Sequence, residues 1–525
     1  MYVKIMSASV LGVEGRFIEV EVNICSGLPQ VSVVGLPDSA VRESVERVRA
    51  AIQNGGMKFP MDRITINLAP ADLRKEGSAF DLAIAAGILC ASGQVEAKLL
   101  EDTLFIGELS LNGMVRSVPG VLPMTELARS AGIGRVVVPH AAVAEASLIS
   151  GIEVFGISSL AEWISGFAGE EEASSPSRSN SGFSTKRLRL LNRSGLNSST
   201  PESEIDLSDV IGQELGKRAL LIAASGMHNL MFIGPPGTGK TMLCRRLPTL
   251  MPPLDDEEAL SVTKILSVCG KLSHTQSQSG LIRQRSFRAP HHTISAAGLI
   301  GGGSTPKPGE VTLAHHGILF LDEMPEFSRV CLEALRQPLE DREVTIGRAR
   351  GVCRFPARFM LAASMNPCPC GFFGGGVDDR PCTCSPAAIA RYRARMSGPL
   401  ADRLDLQVEL PRQSVRNNSE TGMSSAEARE IVMEAAQRQK FRYAKHGIHW
   451  NSQLQGPLLK KYTKLSPDAE MLLQQVYAQL GLSFRAHDRI LKMSRTIADL
   501  AGREAIRSED VAEAISYRCL DQATE

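Results

Sequence analysis

The chain of 525 residues has almost no charge imbalance: 58 Lys and Arg stand against 57 Asp and Glu, a formal net charge of +1. This excludes a global nucleic-acid signature, so any DNA contact must come from local patches. No apolar run approaches the ~18–20 residues of a membrane span, so no membrane partner is expected. The first residues, Met1-Tyr2-Val3-Lys4-Ile5, lack the basic-then-apolar form of a secretory signal. The expected location is cytoplasmic. In that compartment the 11 cysteines argue against a disulfide framework. Four of them crowd into residues 368–384 and need another explanation. No internal repeat stands out. A hydrophobic content of 43 % is enough for well-formed cores, and the length suggests roughly three or four domains.

The clearest boundary is the polar, Ser-rich stretch 168–205, from Gly169-Glu170-Glu171-Glu172 to Ser198-Ser199-Thr200-Pro201. It can bury little and reads as a flexible linker. Its basic group, Lys186, Arg187, Arg189 and Arg193, is either a solvated tail or a phosphate contact.

Upstream, residues 1–167 mix strands and helices. Phe17 to Val22 alternates apolar and polar residues, as a half-buried strand does. Asp38 is placed to cap a helix running to Asn54, which Gly55-Gly56 ends. Ile64 to Leu68 reads as a strand and Asp81 to Ala91 as an apolar helix. Leu104 to Arg116 reads as a hairpin turning at Asn112-Gly113. Downstream, 206–413 repeats strand then helix, an α/β pattern. Residues 414–525 are predominantly helical, over Ala426–Tyr443, Pro467–Gln479, Arg485–Ala501 and Ser508–Gln522.

The run Leu230-Met231-Phe232-Ile233 is followed by Gly234-Pro235-Pro236-Gly237-Thr238-Gly239-Lys240-Thr241, a complete P-loop between an expected strand and an expected helix. Gly237 and Gly239 let the backbone curl so that its N–H groups converge on a phosphate. Lys240 supplies a point charge for the outer phosphates and Thr241 a hydroxyl for Mg2+. The following helix adds its positive N-terminal end. The chain is therefore expected to bind ATP with Mg2+. A second apolar strand, Ile318 to Leu321, ends in Asp322-Glu323, a Walker B pattern. Asp322 is expected to hold Mg2+ through water and Glu323 to polarise the attacking water.

Further segments carry a resemblance. The apolar run Phe359 to Met365 leads into Asn366, which resembles the sensor 1 residue of AAA+ proteins. Pro399 to Asp405 resembles their arginine-finger segment, which implies that Arg403 reaches a nucleotide on a neighbouring subunit. Leu482 to Ala486 resembles sensor 2, with Arg485 as a second phosphate contact, and Asp209 to Gln213 resembles the segment that packs on adenine. With His291 to Ser295, Gly309 to His315, Asn366 to Cys370 and Thr496 to Leu500, the chain resembles the ComM/YifB family of magnesium-chelatase-like AAA+ proteins over nearly its whole length. The resemblance implies a homo-hexameric ATPase that moves branched or single-stranded DNA without sequence choice. It implies branch migration that integrates incoming DNA during natural transformation. A chelatase-type motor subunit, an ATP-dependent protease and a regulatory scaffold stay open as alternatives.

Within that frame, residues 281–309, with Arg283, Arg285, Arg288 and Lys307, resemble a pore-lining insertion. Glu343–Ile346 and Val352–Phe355 read as two strands of a hairpin with Arg348 and Arg350 at its tip. Arginines on a rigid tip suit phosphate contacts, although a solvated turn fits the same pattern. Cys368, Cys370, Cys382 and Cys384 form C-x-C-x11-C-x-C, which could hold Zn2+ with four thiolates, or be free structural cysteines. The glycine-rich loop between them has little capacity to form a core, so a metal could fold it. The histidine pairs 291–292 and 315–316 read as hydrogen-bonded groups rather than a second metal site. Residues 67–87 resemble the active-site segment of the Lon-protease-like fold, related to a ribosomal S5 domain. Ala79 stands at the nucleophile position, and Ser78 is one place early, about 100° away if helical. The expected domain is therefore non-proteolytic, with Ser78 as a helix cap.

Overall fold

The structure, a computed structural model, describes residues 1–72, 74–168, 205–272, 280–303, 306–348, 351–374, 380–396, 398–412, 422–480 and 483–519. It is mixed α/β and divides into two units.

The first unit comprises the described residues up to 168, together with 259–272 and 280–282. Its seven-stranded sheet is built from β1 (Tyr2–Leu11), β2 (Glu14–Cys25), β3 (Gln30–Val34), β4 (Arg63–Ala69), β5 (Thr103–Phe105), β8 (Arg135–Pro139) and β9 (Glu153–Ile157), in the order β3-β4-β2-β1-β5-β8-β9. The pairs β1–β2 and β2–β4 are antiparallel, and the others are parallel. Asp38 accepts from the Val41 N–H at 2.7 Å and starts the helix Ser39–Asn54, as its spacing predicts. The helix Asp81–Ala91 is apolar all round because every one of its residues is buried. Its one acid, Asp81, takes a bidentate contact from Arg47 and a bond from the Leu109 N–H. Burial still pushes its carboxyl up, to about 6.

Two local expectations change. The Asn112-Gly113 hairpin is short, formed by β6 (Glu108–Leu109) and β7 (Val115–Arg116), because Thr103–Phe105 is claimed by the main sheet. Ser78 does not cap the helix: Phe80 occupies that position without a side-chain bond, and the Ser78 hydroxyl donates to Glu108 instead.

Residues 259–272 and 280–282 belong to this unit although they follow the P-loop in sequence. Lys264 pairs with Glu126 at 2.5 Å. Ser267 donates to the buried Glu145 carboxylate at 2.5 Å and accepts, through its carbonyl, from the Gly120 N–H at 3.1 Å.

The second unit has a five-stranded, wholly parallel sheet of β10 (Leu230–Ile233), β11 (Phe287–Arg288), β14 (Ile318–Leu321), β17 (Met360–Met365) and β18 (Leu406–Glu409), in the order β11-β14-β17-β10-β18. Four of the strands are buried along nearly their whole length and read as continuous apolar runs, as a sheet covered on both faces requires. Two small hairpins lie outside it: β12 (Gly301–Gly302) with β13 (Lys307–Pro308), and β15 (Glu343–Arg348) with β16 (Gly351–Pro356). The helices Ser425–Tyr443, Gly456–Tyr462, Pro467–Leu480, Phe484–Leu500 and Ser508–Ser516 share one core with this sheet, through residues such as Val432, Ile490 and Val511. The last helix stops at Ser516 rather than near Gln522, because the Gln407 N–H of β18 claims the Tyr517 carbonyl at 2.7 Å. Among the described residues, no helix is long and apolar enough to cross a membrane.

In the first unit, a Cβ on Gly87 would lie 2.5 Å from Ile5 Cδ1 and 2.7 Å from Val22 Cγ2. Gly87→Val is therefore expected to destabilise that unit by about 3 kcal/mol. Thermal denaturation followed by circular dichroism should show an earlier transition for it than for wild type.

Candidate functional site

In the register of the parallel sheet, Ile233 pairs with Met365 and Leu321 with Ala363. The carboxyl ends of β10, β17 and β14 thus come out on one edge, where open α/β sheets bind ligands. The P-loop, Asn366 and Asp322-Glu323 all leave the sheet there.

Gly237 and Gly239 both have φ of +83°, and a Cβ on either would meet no heavy atom within 4 Å. The loop thus has the left-handed turns and open concave face that a phosphate cradle needs. Gly234 is held closer: a Cβ there would stand 2.5 Å from the Leu410 carbonyl oxygen. Thr238 Oγ1 donates to the Pro235 carbonyl at 3.0 Å. Lys240 Nζ donates to the carbonyls of Gly234 (2.6 Å) and Pro235 (2.8 Å) and to Asn366 Oδ1 (3.3 Å). Burial lowers the Lys240 pKa, against the pull of Asp322 and Glu323. Thr241 Oγ1 lies 3.0 Å from Asp322 Oδ2, so the hydroxyl and carboxylate suited to Mg2+ face each other.

Ser364 completes this group and is not signalled by the sequence, since it lies inside an apolar strand. Its hydroxyl donates to Asp322 and accepts from the Glu323 N–H at 3.1 Å. Glu323 is exposed and has φ of +51°, a conformation that a non-glycine residue adopts at a cost.

Arg403 and Arg485 come together elsewhere in the same unit, around Glu340. Arg403 Nη2 bonds Glu340 Oε1, and Arg485 Nη2 is 3.7 Å from the same oxygen. Arg403 is buried and Arg485 exposed. Asp405 anchors both segments: its buried carboxylate accepts from the Asn229 N–H at 2.9 Å and pairs with Arg489, one helical turn after Arg485. Asn229 also donates to the Arg403 carbonyl and accepts from the Leu361 N–H, each at 2.9 Å. Neither Asn229 nor Glu340 carries a sequence signal, because their partners lie far away in the chain.

The arginines of 281–309 are mostly engaged. Arg283 pairs with Asp256 (2.6 Å), Arg288 with Glu310 (2.6 Å) and the buried Arg285 with Glu258 (3.0 Å). Phe287–Arg288 is a strand of the core sheet, so the pore-lining reading of 281–309 is corrected for 287–288. Glu258 also lies 3.2 Å from His316, and although burial pushes its carboxyl up, His316 and Arg285 beside it bring it down to about 2. Lys307 is exposed on the β12–β13 hairpin. Arg348 ends β15, as the hairpin pattern expects, and Arg350 lies outside the described residues.

The cysteines converge. Cys368 Sγ lies 3.3 Å from that of Cys370 and 3.7 Å from that of Cys382, with 3.5 Å between Cys370 and Cys382. All four sulfurs, Cys384 included, lie within 4.8 Å of one another. A tetrahedron with Zn–S bonds of about 2.3 Å has edges of about 3.8 Å, so this donor set fits Zn2+. Backbone N–H groups of Phe372 and Thr383 bring the Cys370 thiol down to about 6. The cluster also touches the P-loop: a Cβ on Gly371 would stand 2.9 Å from Pro236 Cδ, and Gly371 has φ of +87°. No second metal cluster is found among the described residues; His315 Nδ1 instead accepts from the Arg358 N–H at 3.0 Å.

Comparison with known proteins agrees with this architecture. Three family models match in series: subunit ChlI of Mg-chelatase over residues 20–142, magnesium chelatase subunit ChlI over 206–418, and its C-terminal part over 422–518. The chain is 42 % identical to competence protein ComM of Haemophilus influenzae, covering 98 % of this chain and 97 % of that one. It is also 42 % identical to the uncharacterized protein YifB of Escherichia coli, covering 98 % and 96 %. Lon protease 2 of Bacillus subtilis is 28 % identical over 28 % of this chain and 29 % of its own.

Metal analysis of the purified protein should find about one zinc per chain. Gly371→Val should keep that zinc but raise the KM for ATP, since a left-handed backbone costs a branched residue on the order of 1–3 kcal/mol and the new side chain strikes Pro236.

Proposed function

This chain belongs to the ComM/YifB family of magnesium-chelatase-like AAA+ ATPases, and from that premise we propose that it is a hexameric, ATP-hydrolysing DNA motor. Its task would be branch migration and strand integration in homologous recombination during natural transformation. The observation that carries the DNA part is the β15–β16 hairpin, inserted in the chain between β14 and β17, with Arg348 at the end of β15; Arg350 follows it in sequence. A two-stranded ribbon that connects the Walker B strand to the Asn366 strand along the chain is well placed to convert a change at the nucleotide into displacement of a bound phosphate backbone. Lys307, exposed on its own small hairpin, would add a further phosphate contact.

In this reading the backbone from Gly234 to Thr241 wraps the phosphates, and Lys240 leaves its carbonyl partners for them. Mg2+ held by Thr241 and Asp322 would neutralise charge on the outer phosphates. Glu323 orients and polarises the attacking water, and Asn366 helps to place it. Arg403 meets developing phosphate charge on the neighbouring subunit, with Arg485 as a second cationic contact. Zn2+ on the four cysteines is structural, holding the segment after Asn366 in shape.

The second reading is a chelatase-type motor subunit or a regulatory scaffold. It is favoured by the chelatase description of all three matching family models. A synthetic four-way junction separates the two. On the motor reading, the junction stimulates ATP turnover and is resolved into its strands. Absence of both stimulation and resolution would favour the second reading. Lys240→Ala should abolish turnover and strand movement while part of the DNA binding survives. Arg348→Ala with Arg350→Ala should lose junction affinity and stimulation but keep DNA-free turnover, and unchanged affinity in a binding assay would remove the hairpin from the DNA interface.

A further inference from the structure

Arg403 and Arg485 share one acid, Glu340, and this places a constraint on how either reaches a phosphate. The Arg403 side chain is 9 % exposed, while those of Glu340 and Arg485 are 51 % and 61 % exposed. The guanidinium of Arg403 is thus fixed in the protein, and the carboxylate is the partner that solvent and incoming groups can reach. Burial lowers the Arg403 pKa, with Glu340 opposing that effect. A guanidinium in such a place needs an anion at all times.

Arg485 adds a second demand. It is the second residue of the helix Phe484–Leu500, whose first turn is capped by Ser483 accepting from the Ala486 N–H at 3.1 Å. A cation in the first turn is opposed by the positive end of the helix, and an anion there is favoured. Glu340 answers both the arginine and the helix end. A nucleotide phosphate would answer them better, since it carries more charge and more acceptor oxygens.

Glu340 is also joined to the hairpin. It lies in the helix Arg336–Asp341, which ends at Arg342 with φ of +59°, and β15 begins at the next residue. The Arg342 carbonyl accepts from the Ala357 N–H at 2.8 Å, closing the hairpin base beside its first rung, where Glu343 pairs with Pro356. Movement of the hairpin base therefore acts on the peptide two residues from Glu340.

We propose that Glu340 is a positioning residue that holds Arg403 and Arg485 in the resting subunit and exchanges them for the phosphates of a neighbouring subunit's nucleotide. This rests on the reading of Arg403 as a finger that acts across a subunit interface. The acid competes with the nucleotide for the same two cations, so it sets how readily subunits engage. After hydrolysis and phosphate release it takes the arginines back.

The test measures DNA-free ATP turnover against protein concentration for wild type and Glu340→Gln. Removing the competing charge should bring the half-maximal rate to a protein concentration about threefold or more lower, the scale of one exposed ion pair. Glu340→Asp, which keeps the charge, should return the midpoint towards wild type. A Glu340→Gln midpoint that is unchanged or higher overturns the proposal. Thermal denaturation identifies a folding defect, and if Glu340→Gln is unstable, Glu340→Ser is read in the same assay with the same criterion. Mixing Arg403→Ala with Lys240→Ala subunits tests the underlying reading separately. Recovered turnover supports a finger acting between subunits, and no recovery removes that reading whatever Glu340→Gln does.

Discussion

The Asp405 carboxylate is the interaction on which the second unit's site depends. Burial would push its pKa up, yet Arg489 and His228 hold it far below the usual carboxylate range. It stays charged because it has partners on several elements: the Asn229 N–H just before β10, Arg489 on the helix Phe484–Leu500, and His228 at 3.6 Å. The strand that leads into the P-loop and the helix that carries Arg485 are therefore tied to one side chain. Asn229 extends the tie to β17 and to the Arg403 carbonyl. A buried acid with one partner removed leaves an uncompensated charge, which is strongly destabilising. Such a cluster suits a site whose parts must keep their spacing while other groups change partners.

A second group of charges has the opposite character. Around Lys240 the contacts are replaceable: two loop carbonyls, a side-chain amide and, beyond them, two carboxylates. Glu323 has a strained backbone and an exposed side chain. Strain of this kind persists only where the surroundings over-determine the conformation, and here Ser364 does so by accepting from the Glu323 N–H while donating to Asp322. Rigid charges behind the sheet edge and replaceable ones at it are what a nucleotide site that cycles between bound states requires.

How much of this could be read from the chain follows from the range of each interaction. The P-loop and the Asp322-Glu323 pair are legible because their chemistry is local, a strand followed at once by a turn. The cap at Asp38 is legible for the same reason. Glu340, Asn229 and Asp405 are not, since each acquires meaning from a partner tens to hundreds of residues away. The arginines at 283, 285 and 288 show the converse error. Their spacing looks like a cationic surface, but each has an acid waiting on another element. The same limit hides the assignment of 259–272 to the first unit, which rests on Glu126, Glu145 and Gly120 from more than a hundred residues earlier.

The cysteine cluster poses a question about stiffness rather than chemistry. β17 is buried along its whole length, and its end is fixed by the sheet. At Asn366 the chain leaves the sheet, and its sequence from Gly371 on is rich in glycine, which offers few apolar side chains to bury. Without some other constraint, the position of Asn366 relative to the P-loop would be defined on one side only. Four thiolates around a single ion would supply that constraint from within a short loop, because each bond would fix a side chain to a common centre. Gly371, which stands against Pro236, would pass it to the P-loop. A metal there would hold Asn366 and the P-loop at a set spacing from outside the sheet, as the strand pairing of β17 with β10 does from within.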